Sequence, residues 1–383
     1  MSAIPSFDLS QQFKQIGEEL SAAALQVLAS GQYIGGAAVS EFEQQFSHYV
    51  GTQECIACNS GTDALFLALR SLDIGAGDEV ITPPFTFIAT AEMISATGAV
   101  PVFVDIDPQT FNLDLNQVEA AITSRTRAIM PVHLFGQPVD MTQLMAIAKA
   151  HELWVIEDCA QATGATWAGQ QVGSIGHIGC FSFYPTKNLG ACGDGGAITT
   201  NNATIAQKLR VLRNHGQQQR YVSEAIGVNS RLDGLQAAML LVKLRYLDTW
   251  NRQRQAIADR YDQLLSAVPG IIRPQSIQGG QAVWNQYTIR VVGASESAKC
   301  SSNLRDEVQQ QLQQRGVGSM IYYPLPLHLQ PVYASLGYQP GQLTASEQVA
   351  NEVLSLPMFP ELTPEQQEQV MYALKDCLAA VQG

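Results

Sequence analysis

The sequence predicts an α/β fold: a large domain with a mostly parallel central sheet covered by helices, followed by a smaller C-terminal α+β domain. Three observations lead there. From about residue 53, short apolar runs alternate with helical stretches, and the runs are nearly continuous in apolar character, as strands buried on both faces require. A chain of 383 residues is long enough for roughly two domains. A helical stretch over 230–267, free of internal proline, is placed to bridge them.

Residues 8–50 read as helix-rich, with a turn at "SGQYIGG" (30–36) between two amphipathic runs. The strands then follow in order: "ECIACNSG" leads into "TDALFLALRSL", and "DEVITPP" into "ATAEMISATG". "VPVFVDID", "TRAIMPVHLFG", "LWVIEDCA", "GCFSFYP" and "GAITTN" complete the set. The large domain is expected to span 1–249 and the small one 250–383. In parallel sheets of this kind ligands bind beyond the strand C-terminal ends, and the unusual residues of this chain fall there.

A net charge of -12 with no basic block excludes nucleic-acid backbones and acidic membrane surfaces as partners. The N-terminus lacks the basic, apolar and small-residue order of a signal peptide, and no apolar run is long enough to span a bilayer. Seven scattered cysteines, odd in number, suit reduced thiols in a cytoplasm.

Four features converge on one site. "NSGTDALFLAL" (59–69) passes from a strand through Ser60, Gly61 and Thr62 directly into a helix. Such a terminus presents free N–H groups and the positive end of a dipole to an anion, although a plain helix cap explains the same residues. "VIEDCAQATGA" (155–165) ends an apolar strand on Glu157 and Asp158, with Gln161 three positions on. A carboxylate there needs a cationic or hydrogen-bonding partner; facing a pyridine nitrogen it would keep that nitrogen protonated, and otherwise it caps the next helix. "CFSFYPTKNLGACGDGGA" (180–197) carries Ser182 on its strand, turns at Pro185, presents Lys187 and continues with glycines. A lysine in an apolar pocket loses its proton readily and suits imine formation, whereas in isolation it reads as a surface loop residue. "PPFTFIATAEM" places Phe85 and Phe87 after the second strand, where an aromatic face can stack on a planar ring or enter the core.

In this order and spacing the motifs resemble the sugar aminotransferases of the DegT/DnrJ/EryC1/StrS family, over nearly the whole chain from "GQYIGG" to "SLPMFP". The resemblance implies a pyridoxal 5'-phosphate enzyme of the aspartate-aminotransferase fold (type I). Lys187 would carry the cofactor as an imine, and Asp158 would pair with the pyridine nitrogen. Gln161 would sit by the 3-hydroxyl, Phe87 would stack on the ring, and Gly61, Thr62 and Ser182 would bind the phosphate. "GVNSRLDGLQAAML" supplies Asn229, which in the family completes the phosphate site from the other subunit, so a homodimer with shared active sites is implied.

By the same resemblance L-glutamate donates the amino group and leaves as 2-oxoglutarate, with pyridoxamine 5'-phosphate as the alternate cofactor form. A nucleotide-linked keto sugar accepts it. "RNHGQQQRY", "GVNSRLDGLQAAMLLVKL" and "YYPLPLHLQPVY" are most similar to 3-aminotransferases acting on UDP-2-acetamido-2-deoxy-3-oxo-glucuronate in O-antigen synthesis. Arg231 would then meet the sugar carboxylate, with His328, Tyr184, Tyr33 and Tyr322 as further sugar or diphosphate contacts. A dTDP-3-keto-6-deoxyhexose or a 4-keto nucleotide sugar is the alternative acceptor, since members acting on the former also carry "NSRLD". Two other classes compete: a metal-dependent glycosyltransferase using "VDID" (104–107), and a cofactor-binding sensor without turnover. No metal ligand set is expected: "CIAC" (55–58) lacks a second pair, and "VDID" reads as a strand end and turn. "GACGDGGA" matches neither a dinucleotide nor a Walker-type fingerprint.

Overall fold

The computed structural model describes residues 3–292 and 302–382. The helices expected over 8–50 are α1 (Ser10–Ser30) and α2 (Ala37–Val50), separated by the Gly31–Gly36 turn. The buried stripe of α2 carries Phe42 and Phe46, whose rings meet Phe183 edge-on at 5.3 and 5.2 Å. These contacts seat α2 on the strand that leads to Lys187.

Seven strands form the central sheet: β1 (Glu54–Cys58), β2 (Glu79–Thr82), β3 (Val100–Phe103), β4 (Thr126–Ile129), β5 (Trp154–Asp158), β6 (Ile178–Ser182) and β7 (Gly196–Thr200). Their spatial order is β1-β7-β6-β5-β4-β2-β3. The pairs β2–β3, β2–β4, β4–β5 and β5–β6 are parallel. Strand β7 runs antiparallel to both β1 and β6, so Gly196, its first residue, lies opposite Cys58 and Ser182, the last residues of its neighbours.

Both faces of the sheet are covered, as the near-continuous apolar strands require. Successive strand residues point to opposite faces. Ile56, Val80, Ala128 and Ile156 pack under α3 (Gly61–Ser71), α4 (Ala89–Ala96) and the helix Ala203–Leu212. Their neighbours Ile81, Ile129 and Val155 pack under the helix Met141–Ala150.

The helical stretch expected over 230–267 is two helices, Gly234–Leu244 and Leu247–Leu265. Arg245 and Tyr246 close i→i−3 bonds to Val242 and Lys243 instead of continuing the α-ladder, and this tighter turn redirects the axis. The change follows from burial: the first helix is apolar and wedged against α1 and α2, whereas the second buries only one stripe. The expected boundary at 249/250 falls in the first turn of the second helix.

Beyond it, β8 (Ile271–Ile272), β9 (Tyr287–Val291) and β10 (Val353–Leu356) form a small antiparallel sheet in the order β8-β9-β10. Tyr261, Tyr287, Leu354, Val370 and Leu374 share its core. Ile4 joins that core and bridges to Val317, so the first residues lie with the C-terminal layer.

Candidate active site

The C-terminal ends of β1, β5 and β6 and the first residue of β7 meet at one edge of the sheet. Strand β5 delivers two buried carboxylates there, and because they are consecutive they serve opposite sides. Glu157 accepts backbone N–H groups from Gly173 (2.9 Å), Ile175 (3.1 Å) and Gly176 (2.6 Å), and lies 3.0 Å from His133 Nε2. His133 Nδ1 accepts from Val139 N at 3.0 Å, so the ring proton resides on Nε2 and is donated to Glu157. Cys159 completes a group of three side chains with metal-ligating atoms within 4.8 Å of one another. Hydrogen bonds already occupy the His133 and Glu157 atoms that would coordinate an ion, and they explain the cluster as a scaffold.

Asp158, 4% exposed, faces a cavity of about 440 Å³. One carboxylate oxygen accepts from Ala160 N (3.1 Å) and the other from the Thr90 hydroxyl (2.9 Å). Burial pushes its pKa upward, and these hydrogen bonds together with the Lys187 amine pull the other way.

Lys187 reaches the same cavity from the loop between β6 and β7. Phe183 N bonds Gly195 O and Ala191 N bonds Phe183 O, both at 2.7 Å, which folds residues 184–190 into a closed excursion. Gly190 is required at its neck, because a Cβ there would run into the Pro185 carbonyl. Burial lowers the Lys187 pKa from 10.5 to about 8, partly offset by the Asp158 carboxylate.

Helix α3 starts at the cavity with Ser60 as its cap, accepting from Asp63 N at 3.1 Å. The N–H groups of Gly61 and Thr62 belong to the first turn and have no helical carbonyl to bond, and both residues line the cavity. A Cβ on Gly61 would sit 2.6 Å from the Ser182 Cβ, so glycine is what allows helix and strand to approach. Gln161 accepts from Phe135 N at 2.6 Å and donates to the Tyr323 hydroxyl at 3.2 Å, which fixes its amide over the cavity. Phe87, 56% exposed, stands at the mouth with its ring centroid 6.3 Å from that of Tyr323.

The cavity therefore gathers Lys187, Asp158, Gln161, Gly61, Thr62, Ser182, Phe87, Tyr184 and Tyr322 from the positions singled out in the sequence. It also holds Thr86, Thr90 and Tyr323, which are not among the residues expected from the sequence. In the "TFIAT" run, two threonines four apart at a helix start are the signal that points to the first two.

Four expected residues lie elsewhere. His328 is buried, with Nε2 3.2 Å from Glu347 Oε1. Arg231 donates to Asn214 Oδ1 at 3.2 Å. Asn229 is exposed and bridges to Asn214, and Tyr33 is exposed on the turn after α1. Asp105 and Asp107 of "VDID" are spent on backbone N–H groups, Asp105 on Ala345 and Ser346 and Asp107 on Gln109 and Thr110. Cys55 and Cys58 are buried in β1.

The donor set fits pyridoxal phosphate. It offers a lysine able to be neutral, a buried carboxylate for the ring nitrogen, an amide beside them, and a helix N-terminus with free N–H groups for the phosphate.

Comparison with known proteins agrees with this geometry. The DegT/DnrJ/EryC1/StrS aminotransferase family model matches residues 14–375. The chain is 49% identical to the "pleiotropic regulatory protein" of Geobacillus stearothermophilus, over 96% of each chain. It is 43% identical to the dTDP-3-amino-3,4,6-trideoxy-alpha-D-glucose transaminase of Streptomyces venezuelae, over 97% of this chain and 96% of that one. It is also 43% identical to the UDP-2-acetamido-2-deoxy-3-oxo-D-glucuronate aminotransferase of Pseudomonas aeruginosa, over 94% and 96%. The crystal structure of S. venezuelae DesV in complex with a ketimine intermediate superposes with a TM-score of 0.94, at 42% identity over 99% of each chain.

Proposed function

The chain belongs to the DegT/DnrJ/EryC1/StrS aminotransferase family, and from that premise we propose that it moves the amino group of L-glutamate to C3 of UDP-2-acetamido-2-deoxy-3-oxo-glucuronate. It is a pyridoxal phosphate-dependent nucleotide-sugar aminotransferase. The observation that carries the residue assignment is that Lys187, Asp158 and the α3 N-terminus open into one cavity.

Pyridoxal phosphate supplies an electrophilic carbon and an electron-withdrawing ring when bound. Lys187 Nζ is the group that would hold it covalently. Once free, Lys187 Nζ takes the proton from Cα of the amino donor and in the second half-reaction delivers a proton to the sugar C3. Asp158 offers its carboxylate to the ring nitrogen and keeps it charged. Gln161 directs its amide to the 3-hydroxyl edge, and Gly61, Thr62 and Ser182 bind the phosphate. Phe87, at the mouth, would lie over the bound ring and limit water, while Tyr184 and Tyr322 would contact sugar or diphosphate.

We place the working unit as a homodimer. Asn229 and Arg231 sit outside their own cavity at the end of a segment whose Tyr221 and Ile226 are more than four-fifths exposed. A second copy laid on that face would bring Asn229 to the phosphate, Arg231 to a sugar carboxylate, and Tyr33 from the neighbouring turn. Among the described residues no helix is long and apolar enough to cross a membrane, and the reading sets the enzyme in the cytoplasm, supplying an amino sugar for a surface polysaccharide such as an O-antigen.

The test is incubation of the holoenzyme with L-glutamate and a panel of 3-keto and 4-keto UDP- and dTDP-sugars, followed by mass spectrometry of the sugar and assay of 2-oxoglutarate. Amination of the 3-oxo-glucuronate above the 6-deoxyhexoses is expected; preference for a 6-deoxy sugar overturns the substrate.

A further inference from the structure

Asp158 is assigned above as counter-charge to a ring nitrogen, and the inference here rests on that reading. A carboxylate at 4% exposure is disfavoured as an anion unless hydrogen bonds hold it. One oxygen is served by Ala160 N from its own turn. The other is served at 2.9 Å by Thr90 Oγ1, which arrives from the first turn of α4, 68 positions earlier in the chain. Thr90 is 1% exposed, so no solvent substitutes for that bond.

Thr90 has a single hydroxyl proton, and a carboxylate only accepts. With that proton spent on Asp158, the 3.2 Å contact between Thr86 Oγ1 and Thr90 Oγ1 has Thr86 as its donor. Two hydroxyls thus form a directed row, Thr86 to Thr90 to Asp158, whose dipoles all point at the carboxylate and reinforce one another. In reverse order the row would need a neutral Asp158, which the Lys187 amine opposes. The other titratable groups facing Asp158 are His133, Tyr323, Cys159 and Cys180. His133 has both ring nitrogens committed to Val139 and Glu157. Burial pushes the tyrosine and the two thiols upward, so all three remain uncharged and supply no compensating positive charge.

We propose that Thr90, oriented by Thr86, is a positioning residue that keeps the Asp158 carboxylate anionic and aimed at the ring nitrogen. The Thr90 hydroxyl is committed to the Asp158 carboxylate, and Thr90 acts through it.

The test uses holoenzyme reconstituted with pyridoxal phosphate carrying ¹⁵N in the ring, in wild type, Thr90→Val and Thr90→Ser. Valine keeps the shape and removes the hydroxyl, whereas serine keeps the hydroxyl. The ¹⁵N resonance reports ring-nitrogen protonation at neutral pH, and thermal unfolding is measured alongside. Wild type and Thr90→Ser are expected to show the protonated signature, and Thr90→Val to shift toward the unprotonated one. The single-turnover half-reaction with L-glutamate is expected to slow about tenfold or more in Thr90→Val, the cost of a lost hydrogen bond to a charged group. A protonated nitrogen in wild type that stays equally protonated in Thr90→Val overturns the proposal. If Thr90→Val does not fold, the same measurement on Thr90→Ala decides it in the same way. An unprotonated nitrogen in wild type would overturn the Asp158 assignment itself, and with it the premise of the relay.

Discussion

Asn285 Nδ2 donates to Asn188 Oδ1 at 2.9 Å and also reaches the Thr186 carbonyl at 3.3 Å, so one side chain holds both neighbours of Lys187. Asn188 Nδ2 in turn donates to Asn251 Oδ1 (2.7 Å) and Val283 O (2.9 Å). Asn251 Nδ2 donates to Thr163 O at 3.1 Å, beyond Gln161. The loop bearing the reactive amine is thereby fastened to the helix Leu247–Leu265, to the segment before β9 and to the turn after Asp158. A long side chain can act as a precise base only if its backbone is held.

Asn188→Ala should retain pyridoxal phosphate but lower kcat. Loss of these buried hydrogen bonds should also cost about 1–3 kcal/mol of stability. Denaturant unfolding of the holoenzyme and single-turnover kinetics with L-glutamate measure the two effects. An unchanged turnover rate would show that the loop is held without the asparagines.

Cofactor capture by the apoenzyme should follow the Lys187 amine. Capture needs the neutral form, and burial lowers the pKa to about 8. The rate should therefore rise with pH, level off above about 8, and fall about tenfold per unit well below it. Stopped-flow absorbance on mixing apoenzyme with pyridoxal phosphate measures this, and a plateau reached only near pH 10.5 would contradict it. Lys187→Ala should show no band that borohydride can fix to the protein.

Gly196→Ala should weaken both fold and cofactor binding, because its Cβ would run into the Ser60 carbonyl that starts α3. Overpacking against backbone costs about 1–3 kcal/mol, and the displaced helix terminus should lower phosphate affinity. Equilibrium dialysis of pyridoxal phosphate with a parallel unfolding curve checks both. Gly61→Ala, 2.6 Å from the Ser182 Cβ, should behave likewise.

Glu157→Gln should destabilise the protein by about 1–3 kcal/mol, since an amide cannot accept from Gly173, Ile175, Gly176 and His133 together. Treatment of the wild-type holoenzyme with a strong chelator should leave activity and Tm unchanged, because the atoms of the His133–Glu157–Cys159 cluster serve hydrogen bonds. A fall in either on chelation would restore a metal to the site.

Asp158 was legible because an apolar run of four or five residues that stops on a charged side chain declares both a buried strand and the point where it leaves the core. Lys187 was legible because it follows such a strand after the turn at Pro185 and precedes a run of glycines. The glycine at 61 and the glycine run after Lys187 were legible as signs of close backbone approach. Tertiary structure alone decided that β7 is reversed, which brings Gly196 between Cys58 and Ser182, and that the stretch 230–267 breaks at Arg245–Tyr246. It also decided that His328 is packed away against Glu347 while Thr90 is turned onto Asp158. Periodicity along a chain records which face of a segment is buried. A hydrogen bond across 68 or 97 positions depends on register and crossing geometry, which no local pattern records.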